Sequence, residues 1–169
     1  MTPDGSQPVP STPTIEWRLF ADFSTPLLYE VLCFRQSIFV VEQASPYPDL
    51  DQLDWSAEHL LLRIDGTLAG YLRLFPKDGA VFIGRVAVAC EWRRRGLARS
   101  MMDAAMVRCR RDYPGCAIRL SAQSYLAPFY RTLGFRQSSA AYDDYGVPHL
   151  DMVAEPEEGP WPQAQKGLR

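Results

Sequence analysis

Hydrophobic and polar residues follow two different periods along this chain, which predicts a mixture of strands and helices. Strict alternation, or a short apolar run bounded by turn residues, is typical of strands. Seven segments have one of these patterns: 15–20, 59–64, 68–75, 80–89, 117–122, 135–142 and 149–153. The second and third of them flank Asp65-Gly66, a pair typical of a two-residue hairpin turn.

Apolar residues three and four positions apart predict amphipathic helices. Three segments show this spacing: 24–43, 97–113 and 126–134. Ser24 or Thr25 can cap the first helix ahead of Pro26. The segment 44–58 has two prolines and no clear period, so we expect a loop. Strands mixed with hairpins and helices, including a strand–loop–helix–strand unit, predict an α/β fold with a mixed sheet.

The length of 169 residues suits one domain. Seven of the 14 prolines lie in 1–14 and 154–169, which we expect to be a disordered N-terminal arm and a flexible C-terminal tail around a domain at 15–153. The chain has no signal-peptide pattern and no apolar run long enough for a membrane span, so we expect a cytoplasmic protein without membrane contact. The four cysteines are scattered without a CxxC pair, so we expect free thiols and no metal site.

The charges nearly cancel, with 18 Lys+Arg against 20 Asp+Glu. The domain at 15–153 is neutral once the single net negative charge of each tail is set aside. A neutral domain does not favour nucleic-acid binding. The alternative, binding through the arginines of 93–95 and 108–111, predicts association that weakens steeply with salt.

Candidate chemistry is concentrated where the strand at 80–89 runs through Arg93-Arg94-Arg95-Gly96 into a helix. The first amides of a helix lack intrahelical partners, and the helix dipole is positive there, so an anion is favoured. Gly96 permits close approach of a phosphate to the backbone, and the arginines add charge-assisted contacts. The pattern predicts a phosphate-binding loop, with a solvated basic turn as the alternative.

Two motifs in sequence resemble the hallmarks of a known family. Arg93-x-x-Gly96-x-Ala98, directly after an apolar strand, matches the Arg/Gln-x-x-Gly-x-Gly/Ala signature of the GNAT family of acetyl-CoA-dependent N-acetyltransferases. One helix and one strand later, 124–135 resembles the family's other hallmark, a helix that carries Tyr and is followed by Gly-Phe. The segments 34–54 and 145–152 further resemble the ElaA-like subgroup.

The resemblance implies a single GNAT-type domain in which the strands at 80–89 and 117–122 form a splayed parallel pair within a mixed central sheet flanked by helices. It also implies an enzyme that moves an acetyl group from acetyl-CoA directly to a primary amine of a small molecule or peptide. No metal, nucleic acid or membrane is implied. A non-catalytic acyl-CoA-binding sensor of the same fold is the alternative, and a homodimer is compatible with the exposed strands at the C-terminal end of the sheet.

The resemblance assigns donor-binding residues to the splayed strand and to the loop and helix start that follow it. They are Val86, Ala87, Val88, Arg93, Arg94, Arg95, Gly96, Leu97, Ala98, Arg99, Gln123 and Phe129. Gln123 stands where many members have Asn. Tyr130 is in the position of the general acid that protonates the departing thiolate. A Tyr that only covers the core is the alternative.

An amine must lose a proton to form an amide, so we expect a general base, and Glu42 and His149 are the candidates. A water relay is a further alternative. The stretch 42–58 has five acids and no Lys or Arg, so it could attract a cationic amine. The predicted acceptor-binding residues are Tyr47, Asp49, Asp51, Asp54 and His59. A solvated acidic loop and a structural histidine are the alternatives. Cys90 lies near the arginine loop, but no His and acid pair with it in the sequence, which does not favour an acyl-enzyme.

Overall fold

Eight strands form one sheet in the computed structural model, which describes residues 12–156. The strands are β1 (Thr14–Leu19), β2 (Glu58–Ile64), β3 (Thr67–Lys77), β4 (Ala80–Val88), β5 (Ala117–Gln123), β6 (Arg136–Gln137), β7 (Tyr142–Asp144) and β8 (Val147–Ala154). The helices are α1 (Thr25–Arg35), α2 (Leu97–Asp112) and α3 (Ala127–Arg131). Short 3₁₀ turns lie at Phe20–Asp22, Leu53–Ser56, Cys90–Trp92 and Ser124–Leu126.

The strand order is β1-β2-β3-β4-β5-β8-β6, and β7 pairs with β8. All neighbours are antiparallel except β4 and β5, which α2 connects as a parallel crossover. The predicted α/β fold with a mixed sheet and a central parallel pair is confirmed. Among the described residues, no helix is long and apolar enough to cross a membrane.

Helices α1 and α2 cover opposite faces of the sheet. Successive residues of a strand point to opposite sides, so neighbouring residues of β2 pack against different helices. Leu61 and Tyr71 pack with Val31 of α1, whereas Leu62 packs in the larger core with Met101 of α2. Since both faces of β2 are covered, its three consecutive leucines at 60–62 are fully buried. The apolar run in the sequence therefore reflects burial on two sides.

Two predicted elements differ from the structure. The helix at 24–43 begins as expected, with Ser24 Oγ accepting from the Leu27 amide at 3.4 Å, but α1 ends at Arg35 and 36–42 continues as a π-helix. The strand at 135–142 is broken between β6 and β7, because Ser138 and Ser139 bond individually to the Asp151 backbone. The expected loop at 44–58 contains the 3₁₀ turn Leu53–Ser56, and its last residue, Glu58, begins β2.

The expected arm at 1–14 and tail at 154–169 fall largely outside the described residues, namely at 1–11 and 157–169. Their inner ends belong to the sheet, since Thr14 begins β1 and Ala154 ends β8. The sheet therefore extends one residue beyond each end of the predicted domain at 15–153.

The parallel pair opens soon after it forms. Ala80–Phe82 of β4 pair with Ala117–Arg119 of β5, and beyond this point β4 stays with β3 while β5 stays with β8. Because a strand that leaves its neighbour exposes backbone amides and carbonyls, the opening has unpaired polar groups along one edge. This confirms the splayed parallel pair.

A bulge in β4 accompanies the opening. Arg73 pairs with Gly84 and Tyr71 pairs with Ala87, so two residues of β4, at 85 and 86, lie opposite one residue of β3. Arg85 has φ = 54°, a left-handed conformation that a non-glycine residue adopts only where its surroundings hold it.

Candidate active site

The opening between β4 and β5 is the floor of a cavity of about 700 Å³. Its walls come from the π-helix and the loop after it, the start of α2, α3, and the turn between β7 and β8. Fifteen residues of the predicted site line it: Glu42, Tyr47, Val86, Ala87, Val88, Arg93, Arg94, Gly96, Leu97, Ala98, Arg99, Gln123, Phe129, Tyr130 and His149. Arg95, Asp49, Asp51, Asp54 and His59 do not.

The arginine loop turns sharply into α2. Arg94 and Gly96 both have left-handed backbones, with φ of 60° and 79°. Gly96 is the N-cap of a 16-residue helix, so the first amides of that helix are directed toward the cavity end lined by residues 96–99. A Cβ added at Gly96 would meet no atom within 4 Å. The loop thus leaves space at the positive end of the helix dipole.

The four arginines near this loop have different environments. Arg93 donates from Nε to the Val88 carbonyl at 2.8 Å and from Nη2 to Glu42 at 2.8 Å, so it fastens the loop. Arg95 stacks on Trp92 at 4.7 Å from the ring centroid. Arg99 donates to Thr132 Oγ1 at 3.0 Å. Arg94 has no ion pair or hydrogen bond with any residue of 12–156, and its charge is therefore available to an anion.

Tyr130 lies on α3 against Phe129 and Phe135 and is 6% exposed. Burial, with a smaller contribution from Tyr125, raises the pKa of the Tyr130 phenol to about 12. Its hydroxyl has no hydrogen-bond partner among the described residues, although the side chain lines the cavity. The phenol is thus protonated at neutral pH and free to donate.

His149 and Gln123 face each other in the register of β8 and β5, and both line the cavity. Gln123 donates from Nε2 to Gln43 Oε1 at 3.1 Å, which ties the end of β5 to the end of the π-helix. His149 Nδ1 lies 2.8 Å from the Val147 carbonyl oxygen. A carbonyl can only accept, so the neutral ring carries its hydrogen on Nδ1 and its lone pair on Nε2.

Six charged side chains, four of them buried and two half-buried, form a closed ring beside the cavity, which we call the charge ring. Its members alternate in sign around the ring: Arg35, Asp49, Arg85, Asp51, Arg73 and Asp54. They join the end of α1, the loop at 43–57, β3 and the β4 bulge. All six contacts around the ring are hydrogen-bonded ion pairs, so the ring is neutral overall and its charges are compensated.

Asp49 illustrates how tightly the charge ring is built. Its Oδ2 accepts from Arg35 Nε at 2.9 Å and its Oδ1 from Arg85 Nε at 2.7 Å. Asp54 Oδ1 accepts from Nη1 of both Arg35 and Arg73 at 2.7 Å. Asp51 bonds to Arg73 at both ends of its carboxylate and to Arg85 Nη2 at 3.2 Å.

Burial alone would raise the pKa of Asp54, but hydrogen bonds and charge from Arg35 and Arg73 outweigh it and lower the pKa below its usual range. The pKa of Asp51 is lowered in the same way, by Arg73 and Arg85 against burial. Both aspartates are therefore ionised at neutral pH.

The structure does not place Asp49, Asp51 and Asp54 on the cavity wall, where their predicted role in acceptor binding would require them. The stretch 42–58 contains no Lys or Arg of its own, but arginines from three distant segments neutralise these carboxylates and fold them away from the cavity. Tyr47 does line the cavity, where its hydroxyl donates to Asp49 Oδ1 at 3.0 Å.

His59 does not line the cavity either, and its contacts are those of a structural residue. It is 2% exposed, its Nε2 donates to the Asp54 carbonyl at 3.1 Å, and its Nδ1 accepts from Tyr71 Oη at 2.7 Å. Burial lowers the pKa of His59, so the ring is neutral between these two partners. Within residues 12–156, no three His, Cys, Asp or Glu side chains are grouped as metal ligands.

Sequence reasoning missed the arginines of the charge ring and the cavity residues Asp144 and Tyr145. The sequence did contain a signal for the arginines of the charge ring. Arg73 lies within the apolar segment 68–75, which is buried in β3. A charged residue there needs a partner of opposite charge.

Comparison with known proteins agrees with this geometry. The family model of the acetyltransferase (GNAT) domain matches residues 34–156. This is more than half of the chain, and the chain belongs to that family. It is 36% identical over 142 residues to a UPF0039 protein of Schizosaccharomyces pombe, covering 82% of this chain and 95% of the relative.

Two solved structures share both the fold and part of the sequence. The acyl-CoA N-acyltransferase of Pseudomonas aeruginosa superposes with a TM-score of 0.81 at 33% identity, covering 85% of this chain and 99% of that one. ElaA of Escherichia coli superposes with a TM-score of 0.78 at 32% identity, covering 84% and 100%. The similarity to the ElaA-like group is thereby confirmed.

The first prediction concerns the loop at the start of α2. In Gly96→Glu, a carboxylate replaces open space at the helix N-terminus, so CoA should bind at least about 100-fold more weakly. Gly96→Ala is the matched control, because it has the same left-handed strain without the charge and should lose about tenfold at most. Calorimetric titration with CoA measures both, and equal affinities for the two variants would contradict the anion site.

The second prediction concerns the charge ring. Arg35→Met should lower the free energy of unfolding by about 3 kcal/mol at pH 7, because it leaves buried carboxylates with fewer partners. Arg136→Gln, which breaks an exposed pair with Glu155, should cost less than about 1 kcal/mol. Urea denaturation measures both variants.

The pH dependence of the charge ring follows from its lowered pKa values. Because the pKa of Asp51 and Asp54 is lower in the folded chain than the unfolded value of ~3.9, the ring's contribution is complete above about pH 4 and is lost as pH falls through the folded values. The difference between wild type and Arg35→Met should therefore shrink in acid. A constant difference from pH 7 to pH 3 would contradict this account.

Proposed function

We propose that this chain is an acetyl-CoA-dependent N-acetyltransferase that moves the acetyl group directly to a primary amine. The observation that carries the proposal is the opening between β4 and β5, which is continuous with the start of α2 and has Tyr130 on its wall. One cavity thus offers unpaired backbone groups, an anion-binding helix end and a proton donor.

The residues present fit acetyl-CoA. Backbone groups of Val86 and Val88 would hold the pantetheine arm at the edge that β4 exposes beyond the bulge. The amides at the start of α2, with Gly96 and Arg94, would hold the pyrophosphate. Arg93 supports this loop through Val88 and Glu42, so its guanidinium would position the loop more than it would bind phosphate.

Acetyl-CoA supplies a thioester, from which the acetyl carbon passes to the amine nitrogen as the carbon–sulfur bond breaks. The departing sulfur takes the electron pair of that bond and needs a proton. Tyr130 would donate it, since its phenol is protonated, buried in the cavity wall and without a competing partner among the described residues.

His149 is the better supported of the two base candidates. Its lone pair is on Nε2, which has no partner within residues 12–156, and the side chain lines the cavity. Glu42 accepts from Arg93 in an ion pair, so its carboxylate is engaged in supporting the loop. We therefore assign the proton of the attacking amine to His149 and the supporting role to Glu42.

A sensor that binds acyl-CoA without turnover is the other function of this fold that the site could serve. The uncommitted hydroxyl of Tyr130 and the free Nε2 of His149 favour an enzyme, because a sensor needs neither group. Release of free thiol from acetyl-CoA in the presence of amines, with mass spectrometry of the products, separates the two. Tight binding of CoA without turnover of any amine would support the sensor.

The third prediction concerns Tyr130. Tyr130→Phe should lower kcat by about 100-fold, because a positioned acid contributes at least that much, while CoA affinity should change less than about threefold. Tyr113→Phe is the control, since Tyr113 donates to Glu58 outside the cavity and should leave kcat unchanged. Thiol release gives kcat, and equal rates for wild type and Tyr130→Phe would remove Tyr130 from the mechanism.

The fourth prediction concerns His149. His149→Gln should lower kcat/KM for an alkylamine by about 100-fold at pH 7, because the amine loses its proton acceptor. This deficit should narrow as pH rises toward 9.5, since an amine of pKa ~10.4 is then increasingly neutral in solution. Thiol-release kinetics from pH 7 to 9.5 measure the ratio. Equal kcat/KM for wild type and His149→Gln at pH 7 would favour a water relay over His149.

A further inference from the structure

We propose that the acceptor is an amine on an uncharged aliphatic or aromatic stem, with no carboxylate beside the reacting nitrogen. This inference rests on the proposed function, because it names the class of amine that the same cavity would take. The geometry that carries it is the cavity end formed by the loop at 43–57 and the turn between β7 and β8, where Tyr47, Asp144 and Tyr145 lie.

The charges of the cavity are divided between its ends. Its charged lining residues are Glu42, Arg85, Arg93, Arg94, Arg99 and Asp144. Glu42 and Arg93 neutralise each other, and Arg85 is held by the aspartates of the charge ring. Arg94 and Arg99 remain near the start of α2, which leaves Asp144 at the other end.

Asp144 is free to meet a cation. Its side chain is 49% exposed, and among residues 12–156 no arginine or lysine pairs with it. His149 is nearby, with its Nδ1 4.0 Å from Asp144 Oδ2. A protonated amine would therefore meet a negative charge directly beside the histidine that would take its proton.

Tyr47 and Tyr145 supply apolar surface beside this charge. Their ring centroids are 5.8 Å apart, and Tyr145 is 57% exposed. Tyr47 is fixed by its bond to Asp49 and by Arg85, whose guanidinium lies 5.2 Å from its ring centroid. Aromatic rings near a carboxylate suit a cation on an apolar stem.

An amino acid would fit this end poorly. The carboxylate of an α-amino acid is two bonds from its nitrogen, so an amine placed beside Asp144 would bring that carboxylate next to a like charge. Arg85 compensates less than a free arginine would, because Asp49 and Asp51 already balance its charge through Nε and Nη2. The cavity therefore selects against the carboxylate itself.

Matched pairs of acceptors that differ by one carboxylate test the proposal: tyramine against tyrosine, phenethylamine against phenylalanine, and isoamylamine against leucine. We expect kcat/KM to favour the decarboxylated member by about tenfold in each pair that turns over, from one like-charge contact at a partly exposed carboxylate. In Asp144→Asn this ratio should fall toward one, and turnover of the amino acid should improve. Asp103→Asn, an exposed acid of α2 outside the cavity, should leave the ratio unchanged.

The outcomes separate the two proposals. Equal or better turnover of the amino acids by wild type would overturn the acceptor class and leave acetyl transfer standing. If Asp144→Asn lowers kcat/KM by the same factor for both members of a pair, the acceptor class is also overturned, because Asp144 would then act only through His149. No turnover in any pair, with CoA still bound, would contradict the proposed function itself. Faster turnover of the amino acid by Asp144→Asn cannot result from misfolding of the variant, because misfolding would only lower activity.

Discussion

Three arginines and three aspartates, most of them buried, alternate in a closed ring and hold together the segments that surround the cavity. Arg35 comes from α1, Arg73 from β3 and Arg85 from the bulge of β4, while the aspartates come from the loop at 43–57. A loop with two prolines and no helical period has little intrinsic reason to hold one conformation. The charge ring gives it six fixed contacts, and breaking any of them would leave a buried charge undercompensated. The charge ring therefore fixes the loop to the sheet beside it.

The same contacts support the strained backbone of β4. A non-glycine residue in the left-handed region is retained only where neighbouring contacts outweigh its cost, and Arg85 meets this condition through Asp49 and Asp51. The bulge in turn directs β4 away from β5 and opens the edge at which unpaired backbone groups face the cavity. A network of side chains thus maintains the backbone shape on which the candidate donor site depends. It does so without contributing free charge to the cavity, because it is neutral as a whole.

Local features of the chain could be predicted from the sequence, whereas features that join distant segments could not. The strand, loop and helix around Gly96 are contiguous, so spacing alone indicated an anion site, and Tyr130 lies at a fixed distance after it within a second contiguous motif. The charge ring joins residues 14 to 36 positions apart, such as Asp49 with Arg35 and with Arg85. Counting charges within 42–58 gave an acidic loop because the compensating arginines lie in other elements. The tautomer of His149 depends on the Val147 carbonyl two residues earlier in β8, and the side-chain conformation that brings the ring to it is not specified by any pattern in the sequence.

The neutrality of the charge ring has a consequence for the field within the cavity. Had the aspartates of the loop remained free, they would have produced a broad negative potential that attracts any cation and repels the anionic donor at the other end. Because arginines neutralise them, the potential near Tyr47 is set by one carboxylate, that of Asp144, whose position is fixed by the turn between β7 and β8. A single charge beside aromatic surface selects acceptors by the groups next to the amine. A cluster of acids would select them mainly by their total charge. The near-zero net charge of the domain therefore reflects internal compensation. Within residues 12–156, this compensation leaves Arg94 unpaired near the helix start, and at the opposite end of the cavity it leaves Asp144 without an arginine or lysine partner.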